Sequence, residues 1–237
     1  MTNDPQAAAK QRAGETAVDR YARSGMRVGL GTGSTAVWAI RRLGALLASG
    51  ALTDVAGVPT SEASRAEAQA CGVPLTTLDD DPRLDLTIDG ADEVSPALDL
   101  VKGGGGAHLR EKIVAQASDR LVIVCDPSKL VAALGETFAI PVEVVRMARR
   151  PEQAFLESLG ARVGWRQRSD GAGPFVTDEG NWILDADFGP LADPAAVLRR
   201  LQERAGVVEV GLFLGLADVV LVAEPDGVRE LRASRSS

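Results

Sequence analysis

The chain has 237 residues, of which 45% are hydrophobic, and a formal net charge of −7. This length allows one large domain or two modest ones with a well-filled core. The acidic balance argues against nucleic acid or a membrane surface as a partner, since both select a broad basic face, but it still allows an anionic small molecule at a locally positive site.

The first half of the chain alternates strands with helices, in the order helix 5–23, strand 26–30, helix from Thr35, strand 52–61, helix 64–72, strand 84–89, helix 109–118 and strand 121–126. Such alternation implies crossover connections between parallel strands. We therefore expect a Rossmann-like, doubly wound α/β domain with a mostly parallel sheet and helices on both faces.

The second half has a different order: strand 140–147, helix 151–160, strand 161–167, strand 181–188, helix 193–204 and strand 207–212. This β-α-β-β-α-β order is that of the split ferredoxin-like unit. A last strand within 217–228 is expected to return to the first sheet. The predicted domains are residues 1–134 with 212–237, and a smaller α+β insert of residues 135–211.

Cysteine usage and the absence of export signals predict a cytoplasmic protein. Cys71 and Cys125 stand far apart with no CxxC spacing, and His108 is the single histidine, so neither a disulfide framework nor a zinc cluster is expected. Cys125 ends the apolar run LVIVC, which predicts a buried thiol. No apolar run approaches the ~20 residues of a membrane span, and the first ten residues lack the pattern of a secretory signal.

The first segment with chemical potential is GLGTGSTA (29–36), which follows a strand and opens a helix. Glycines permit close approach to the backbone, and the N-terminus of a helix attracts a phosphate. Ser34 and Thr35 would add hydroxyl donors. The segment lacks the lysine of a Walker loop, and its GxGxG spacing differs from the dinucleotide pattern GxGxxG. A phosphate cradle and a tight structural turn are both consistent with it.

The second segment is TIDGADEV (87–94), in which Asp89 ends a buried-type strand and Asp92 follows across a glycine turn. Two carboxylates this close repel each other, so one would keep its proton and act as an acid or hydrogen-bond donor. An Asx turn with a helix cap is the structural alternative. A divalent-metal site is a third reading, although the segment offers no histidine and no defined ligand loop.

The third segment is KGGGGAHLREK (102–112), in which four consecutive glycines follow Lys102. Their N–H groups can converge on an oxygen atom with no side chain in the way. In the helix that follows, Leu109 and Ile113 share one face, which we expect to be the core side, and Glu111 lies roughly opposite. Glu111 is either a solvated surface residue or a partly desolvated base with a raised pKa. The glycines and Lys102 favour the base.

Together the three segments favour proton abstraction next to a carbonyl, with Lys102 and backbone N–H groups holding the enediolate oxygen. The chain offers no serine or cysteine nucleophile paired with histidine. Two other classes remain as alternatives. A sugar-phosphate sensor of the repressor type would bind without turnover. A nicotinamide dehydrogenase would need an acidic residue after the second strand, where VPTS (58–61) has none.

The motifs also resemble those of a known family, the type A ribose-5-phosphate isomerases, in order and spacing from about residue 10 to 230. The matching stretches are GTGSTA (31–36), DGADE (89–93), KGGGGA with LREK (102–112), PVEV (141–144), GNWILD (180–185) and GLFLGLAD (211–218). The resemblance implies a Rossmann-like domain carrying a smaller α/β domain. It also implies interconversion of ribose 5-phosphate and ribulose 5-phosphate without metal or organic cofactor, in a homodimer or homotetramer.

The resemblance assigns roles to individual residues. Glu111 matches the catalytic base, with Asp89, Asp92 and Lys102 completing the catalytic set. The implied substrate-binding residues are Thr32, Gly33, Ser34, Thr35, Asp89, Gly90, Ala91, Asp92, Lys102, Gly103, Gly104, Gly105 and Lys129.

Three positions are less regular than the rest of the match. Lys10 is the nearest match to an N-terminal lysine of the family, and the alignment there is loose by a residue. Arg146 stands where proline is common. His108 stands where an aliphatic residue is expected, three residues before Glu111, and is either a bystander or a modulator of that carboxyl group.

Overall fold

The computed structural model describes residues 5–233, with side chains from Ala7 onward. The helices are α1 Pro5–Tyr21, α2 Ala36–Ala48, α3 Glu62–Ala70, α4 His108–Gln116, α5 Arg149–Ser158 and α6 Pro194–Gln202. The strands are β1 Arg27–Leu30, β2 Ala56–Pro59, β3 Leu86–Asp89, β4 Glu93–Val94, β5 Leu100–Val101, β6 Leu121–Cys125, β7 Ile140–Val144, β8 Arg162–Trp165, β9 Trp182–Asp187, β10 Val207–Val210, β11 Leu212–Phe213, β12 Val219–Glu224 and β13 Gly227–Arg232.

The chain forms two compact units. The first comprises the described residues up to Ala91, Arg110–Lys129, and those from Gly215 onward. The second comprises Asp92–Leu109 and Leu130–Leu214. By compactness, residues 92–109 therefore group with the second unit, whereas the sequence placed them in the larger domain. The predicted domain division at residues 134/135 and 211/212 stays a prediction.

A six-stranded sheet with the order β13-β12-β6-β3-β1-β2 forms the centre of the first unit. Every neighbouring pair is parallel except β12 with β13, so the predicted Rossmann-like fold class is confirmed. All five residues of β6 are buried, which is typical of a parallel sheet covered on both faces. The antiparallel edge strand β13 was not predicted, since its polar pattern follows directly on a turn.

The order of the strands creates a switch point in this sheet. From β1 the chain passes through α2 to β2 on one side, and it then returns through α3 to β3 on the other side of β1. Ligands of open α/β sheets bind at such a point, outside the carboxyl ends of the strands. The carboxyl ends of β6, β3, β1 and β2 lie side by side along this edge.

The second unit contains an antiparallel four-stranded sheet with the order β10-β7-β9-β8. With α5 and α6 it has the chain order β-α-β-β-α-β, which confirms the predicted ferredoxin-like domain. A three-stranded sheet, β11-β5-β4, belongs to the same unit and was not predicted, because strands of two residues show no periodicity. None of the helices in the described range has the length and apolar character needed to cross a membrane.

Candidate active site

The loop after β1 is bound tightly to the end of β3. A Cβ atom on Gly31 would lie 2.4 Å from Asp89 Oδ1 and 2.5 Å from Ile88 O, so only glycine allows this approach. The Thr32 N–H donates to Asp89 Oδ1 at 2.9 Å. Gly33 has a φ of +110°, which an L side chain rarely adopts. The glycines of this loop are therefore required by its packing and conformation.

Hydroxyl groups connect the same loop to the carboxyl end of β2. Thr32 Oγ1 lies 2.8 Å from Thr60 Oγ1 and also donates to Ser61 Oγ at 2.8 Å. The Thr60 hydroxyl is fully buried and donates to the carbonyl of Leu30 at 2.9 Å. Ser61 in turn caps α3 by accepting from the Ser64 N–H. These side chains fix the loop between two helix N-termini, α2 and α3.

Two lysines approach this edge of the first unit from separate elements. Lys10, on α1, donates from Nζ to Ser34 Oγ at 3.1 Å, so the loosely aligned N-terminal lysine does reach the loop. Thr35 is the N-cap residue of α2. Lys129 ends the short 3-10 turn Pro127–Lys129 that follows β6. The ammonium groups and the helix N-terminus make this edge locally suited to an anion, although the chain is acidic overall.

Asp89 is buried at the carboxyl end of β3, with 1% of its surface exposed. Its Oδ1 accepts from the N–H groups of Thr32, at 2.9 Å, and Gly90, at 2.7 Å. Both bonds hold the carboxyl group in place at the strand end, and a short strand, β4, follows the segment instead of the capped helix of the structural alternative. This fixed position is compatible with a chemical role for the carboxyl group. Across the described residues, no three side chains of Asp, Glu, His or Cys are grouped as a metal site.

The glycine loop lies in the second unit and is held by its neighbours. Asp92 Oδ2 accepts from the Gly104 N–H at 2.7 Å. A Cβ atom on Gly104 would lie 2.5 Å from Asp92 Oδ1, and one on Gly103 would lie 2.8 Å from the His108 ring. The backbone of Gly103 has a φ of +106°. A side chain at either position would collide with a neighbour, which explains two of the four consecutive glycines.

Lys102 is buried, with 2% of its surface exposed. Its backbone N–H donates to the carbonyl of Gly211 at 2.9 Å, and its Nζ lies 5.5 Å from the ring centroid of Phe213. The aromatic ring stabilises the ammonium group through a cation–π interaction. A buried ammonium at the start of a glycine loop is well suited to hold a developing oxyanion.

Glu111 lies in the first turn of α4 and is 4% exposed. The Leu84 N–H, just before β3, donates to the carbonyl of Ala117 at 2.8 Å. The end of α4 therefore lies at the amino end of β3, and the helix, about 13 Å long at 1.5 Å per residue, points its first turn toward the carboxyl edge. Within the first unit, Glu111 therefore lies toward the carboxyl edge of the sheet, where β3 ends in Asp89.

The expected core face of α4 is wrong. Ile113 is 45% exposed, whereas Glu111 and Lys112 are 4% and 5% exposed. The pattern of nine residues is too short and mixed to define a hydrophobic face, so the position of the helix, not its apolar residues, decides what is buried. Glu111 and Lys112 are therefore buried on the same helix as Val114 and Ala115.

His108 is fully buried in the second unit. Its Nε2 lies 3.4 Å from the carbonyl of Glu209 and 3.9 Å from Glu143 Oε2. Glu143 accepts from the Thr177 hydroxyl at 2.8 Å and from the Asn181 amide at 2.9 Å. Burial raises the pKa of Glu143 against the opposing effect of these two donors. Whether His108 modulates Glu111 stays a prediction.

Sequence reasoning missed two residues that organise the second unit. Glu93, inside the DGADE stretch, is fully buried and accepts from the N–H groups of Gly135, Thr137 and Phe138. Arg166 donates to the carbonyls of Gly103 and Gly104. Glu93 lies in the acidic stretch DGADE (89–93), where nothing local distinguishes it from the two aspartates. Nothing in the sequence around Arg166 pointed to the glycine loop.

The predicted site residues are thus divided between the units. The first unit holds Thr32–Thr35, Asp89–Ala91, Glu111 and Lys129, and the second holds Asp92 and Lys102–Gly105. The first group combines an anion-binding edge with buried carboxyl groups. The second combines a buried ammonium with backbone amides. These are the components of proton transfer on a phosphorylated substrate.

Comparison with known proteins agrees with this chemistry. The family model for ribose 5-phosphate isomerase A (phosphoriboisomerase A) matches residues 56–227. A ribose-5-phosphate isomerase A from Desulfatibacillum aliphaticivorans is 51% identical over 97% of this chain and 99% of its own length. One from Chloroflexus aurantiacus is 54% identical over 90% of this chain and 88% of its own length.

A solved structure of a D-ribose-5-phosphate isomerase in complex with phospho-erythronic acid superposes with a TM-score of 0.92, at 36% identity, over 95% of this chain and 98% of that chain. The similarity to these proteins thus spans both units and nearly the whole of each chain compared. The chain belongs to the ribose 5-phosphate isomerase A family.

Proposed function

We propose that this protein interconverts D-ribose 5-phosphate and D-ribulose 5-phosphate through an enediolate intermediate, as an aldose-ketose isomerase of the non-oxidative pentose phosphate pathway. Membership of the family supports this activity. The observation that carries it is the buried Glu111 in the first turn of α4, on the carboxyl side of the sheet with Asp89 and the loop after β1. A buried carboxyl group in this place is suited to act as a base.

The phosphate group of the substrate binds at the N-terminus of α2. Ser34 and Thr35 supply hydroxyl groups, and the helix dipole and backbone N–H groups favour the dianion. Lys129 adds charge from the turn after β6, and Lys10, already bonded to Ser34 Oγ at 3.1 Å, adds it from α1. This set explains how a chain with a net charge of −7 binds an anionic sugar.

The ring of the bound furanose opens before the hydrogen moves. Asp89 passes a proton between the hydroxyl on C1 and the ring oxygen, so the C1–O bond to the ring breaks as the C1 carbonyl forms. Asp92, which also accepts from the Gly104 N–H at 2.7 Å, binds a substrate hydroxyl. The product of this step is the open-chain aldose, whose C2 hydrogen is acidified by the adjacent carbonyl.

Glu111 then removes the proton from C2, and the electrons move to form the C1–C2 double bond and a negative charge on O1. Lys102 and the N–H groups of Gly103 and Gly105 stabilise this oxygen, while the Gly104 N–H stays bonded to Asp92. The same carboxyl group returns the proton to C1 after a proton moves between O2 and O1, which leaves a carbonyl at C2. One base therefore serves both carbons of the cis-enediolate.

The proposal includes three further properties. The reaction needs no metal and no organic cofactor, because Lys102 and the loop amides stabilise the negative oxygen that a metal ion would otherwise bind. The enzyme acts in the cytoplasm. It assembles as a homodimer or homotetramer, as the resemblance implies for this family.

The test is a direct assay of ribulose 5-phosphate formation from ribose 5-phosphate in the presence of EDTA. Glu111→Gln should keep KM within a few-fold and lose kcat by about 10²–10⁴, the usual contribution of a general base. Glu157→Gln, on the exposed side of α5, is the matched control and should be unaffected. A Glu111→Gln variant with wild-type turnover would remove this carboxyl from the mechanism, and ligand binding without any turnover would indicate a sensor.

A further inference from the structure

The glycine loop presents its amides only if its peptide planes have fixed orientations. Four glycines in a row have more accessible conformations than any other tetrapeptide, so the loop has little intrinsic order. Three side chains limit it by contact: Asp92 against Gly104, His108 against Gly103, and Phe175, whose ring would lie 2.3 Å from a Cβ atom on Gly106. These contacts restrict the space of the loop but do not by themselves set the direction of each carbonyl.

Arg166 supplies that direction. Its Nη1 donates to the carbonyl of Gly103, which also accepts from the Gly106 N–H at 2.9 Å, and at 3.3 Å to the carbonyl of Gly104. In a trans peptide the carbonyl oxygen and the following N–H point in opposite directions. Fixing the Gly103 carbonyl therefore fixes the Gly104 N–H, which donates to Asp92 Oδ2 at 2.7 Å. Fixing the Gly104 carbonyl turns the Gly105 N–H away from the guanidinium.

The guanidinium group is itself held rigidly. Its Nε donates to Asp185 Oδ2 at 3.1 Å, and its Nη2 donates to the other oxygen of the same carboxylate. This bidentate geometry is specific to arginine. The Arg166 backbone is bonded on both sides, donating to the Ile183 carbonyl at 3.0 Å and accepting from the Phe175 N–H at 2.8 Å. Only 12% of the side chain is exposed.

We propose that Arg166 is a positioning residue for the isomerase: held by Asp185, it orients the carbonyls of Gly103 and Gly104 so that the Gly104 N–H stays with Asp92 and the Gly105 N–H is preset for the substrate oxygen. This inference rests on the proposed function, because it assigns a purpose to the amides that hold the enediolate. Arg166 does not touch the reacting atoms and acts through the loop.

The matched pair of variants is Arg166→Met and Arg162→Met. Arg162, on β8, forms an ion pair with Asp187 of β9 at 2.5 Å, and 88% of its side chain is exposed. Removing one oxyanion donor costs about 10²–10³ in kcat. Because Arg166→Met keeps the amides and only loosens their orientation, we expect a kcat loss of about 10–100-fold, with Arg162→Met within about twofold of wild type.

A binding readout separates positioning from general destabilisation. Phospho-erythronic acid, the compound bound in the related structure, carries a carboxylate where the enediolate carries its negative oxygen. For Arg166→Met its inhibition constant should rise about tenfold or more, in line with the loss in kcat. The inhibition constant of inorganic phosphate, which reports on Ser34 and Thr35, should stay within about twofold. Methylguanidine should restore part of kcat in Arg166→Ala.

The inference is overturned by a folded Arg166→Met variant with wild-type kcat, or by equal weakening of both inhibitors without rescue. If Arg166→Met does not fold, Arg166→Lys carries the same test, since it keeps the charge and loses the bidentate geometry. Glu111→Gln is measured beside it. If Glu111→Gln is inactive and Arg166→Met fully active, this inference alone fails, whereas an active Glu111→Gln removes the proposed function.

Discussion

Glu93 gives the sharpest test of how the second unit is held together. Its carboxylate is fully buried and accepts four hydrogen bonds from one short segment. Oε2 accepts from the Gly135 N–H at 2.6 Å. Oε1 accepts from the N–H and hydroxyl of Thr137, at 2.5 and 2.8 Å, and from the Phe138 N–H at 2.8 Å. The Glu93 carboxylate thus supplies the segment 135–138, just before β7, with the hydrogen-bond acceptors that a neighbouring strand would otherwise provide.

The perturbation is Glu93→Gln, which preserves shape and removes charge. The amide oxygen keeps the three bonds of Oε1, but hydrogen bonds to a neutral acceptor are about half as strong as those to a charged one, a loss of about 2 kcal/mol in total. The amide NH₂ then faces the Gly135 N–H, and a buried donor without an acceptor costs about 1–3 kcal/mol. The expected loss in the free energy of unfolding is about 3–5 kcal/mol.

The assay follows the unfolding of the second unit itself. Trp165 and Trp182 both lie in that unit, with ring centroids 5.4 Å apart, so their near-ultraviolet circular dichroism reports on its packing. In a urea titration the midpoint should fall, and the melting temperature should drop by roughly 6–20 °C at about 2–4 °C per kcal/mol. The control is Glu136→Gln, which changes an exposed carboxylate that accepts from the N–H groups of Ala132 and Ala133. Its free energy of unfolding should fall by less than about 1 kcal/mol. A Glu93→Gln variant as stable as that control would refute the reasoning.

Two further predictions concern titration. Burial raises the pKa of Glu143 in the folded state, so as pH rises from about 4.5 the unfolded chain loses the Glu143 proton first and the free energy of unfolding should fall. In urea titrations at several pH values, Glu143→Gln should lack this part of the decrease with pH. An unchanged pH dependence would contradict the assignment. Burial, with the nearby Asp126 charge, raises the pKa of Cys125 to about 12. In the Cys71→Ser variant, which keeps Cys125 as its one thiol, a thiol reagent at pH 8 should therefore react only after unfolding. Rapid labelling of the native variant would contradict this.

The sequence predicted the main elements because their signals are local. Runs such as LVIVC, with five buried residues in β6, identify strands of a parallel sheet without further information. The change from β-α alternation to the β-α-β-β-α-β order identified the second architecture. The glycine segments were recognised for the same reason, because glycine is the one residue without a side chain and its presence at positions such as Gly31 and Gly103 is visible in the sequence.

The sequence misjudged features that depend on distant partners. It assigned Ile113 to the core, although 45% of that residue is exposed, because nine residues of α4 carry too weak an amphipathic pattern. It missed β4, β5 and β11, whose two-residue strands exist only because they pair with one another. It also gave no sign that Arg166 bonds to carbonyls 62 and 63 residues earlier in the chain.

What the sequence determined by itself was the set of chemical groups and the order of the elements that carry them. The tertiary structure decided which of these groups are withdrawn from water and which backbone atoms face one another. Asp89 and Thr32 are 57 residues apart and bonded at 2.9 Å, an arrangement set by the pairing of β1 with β3. The physical reason is that propensity and periodicity act over a few residues, whereas desolvation and hydrogen-bond geometry depend on the packing of segments that are far apart in the chain.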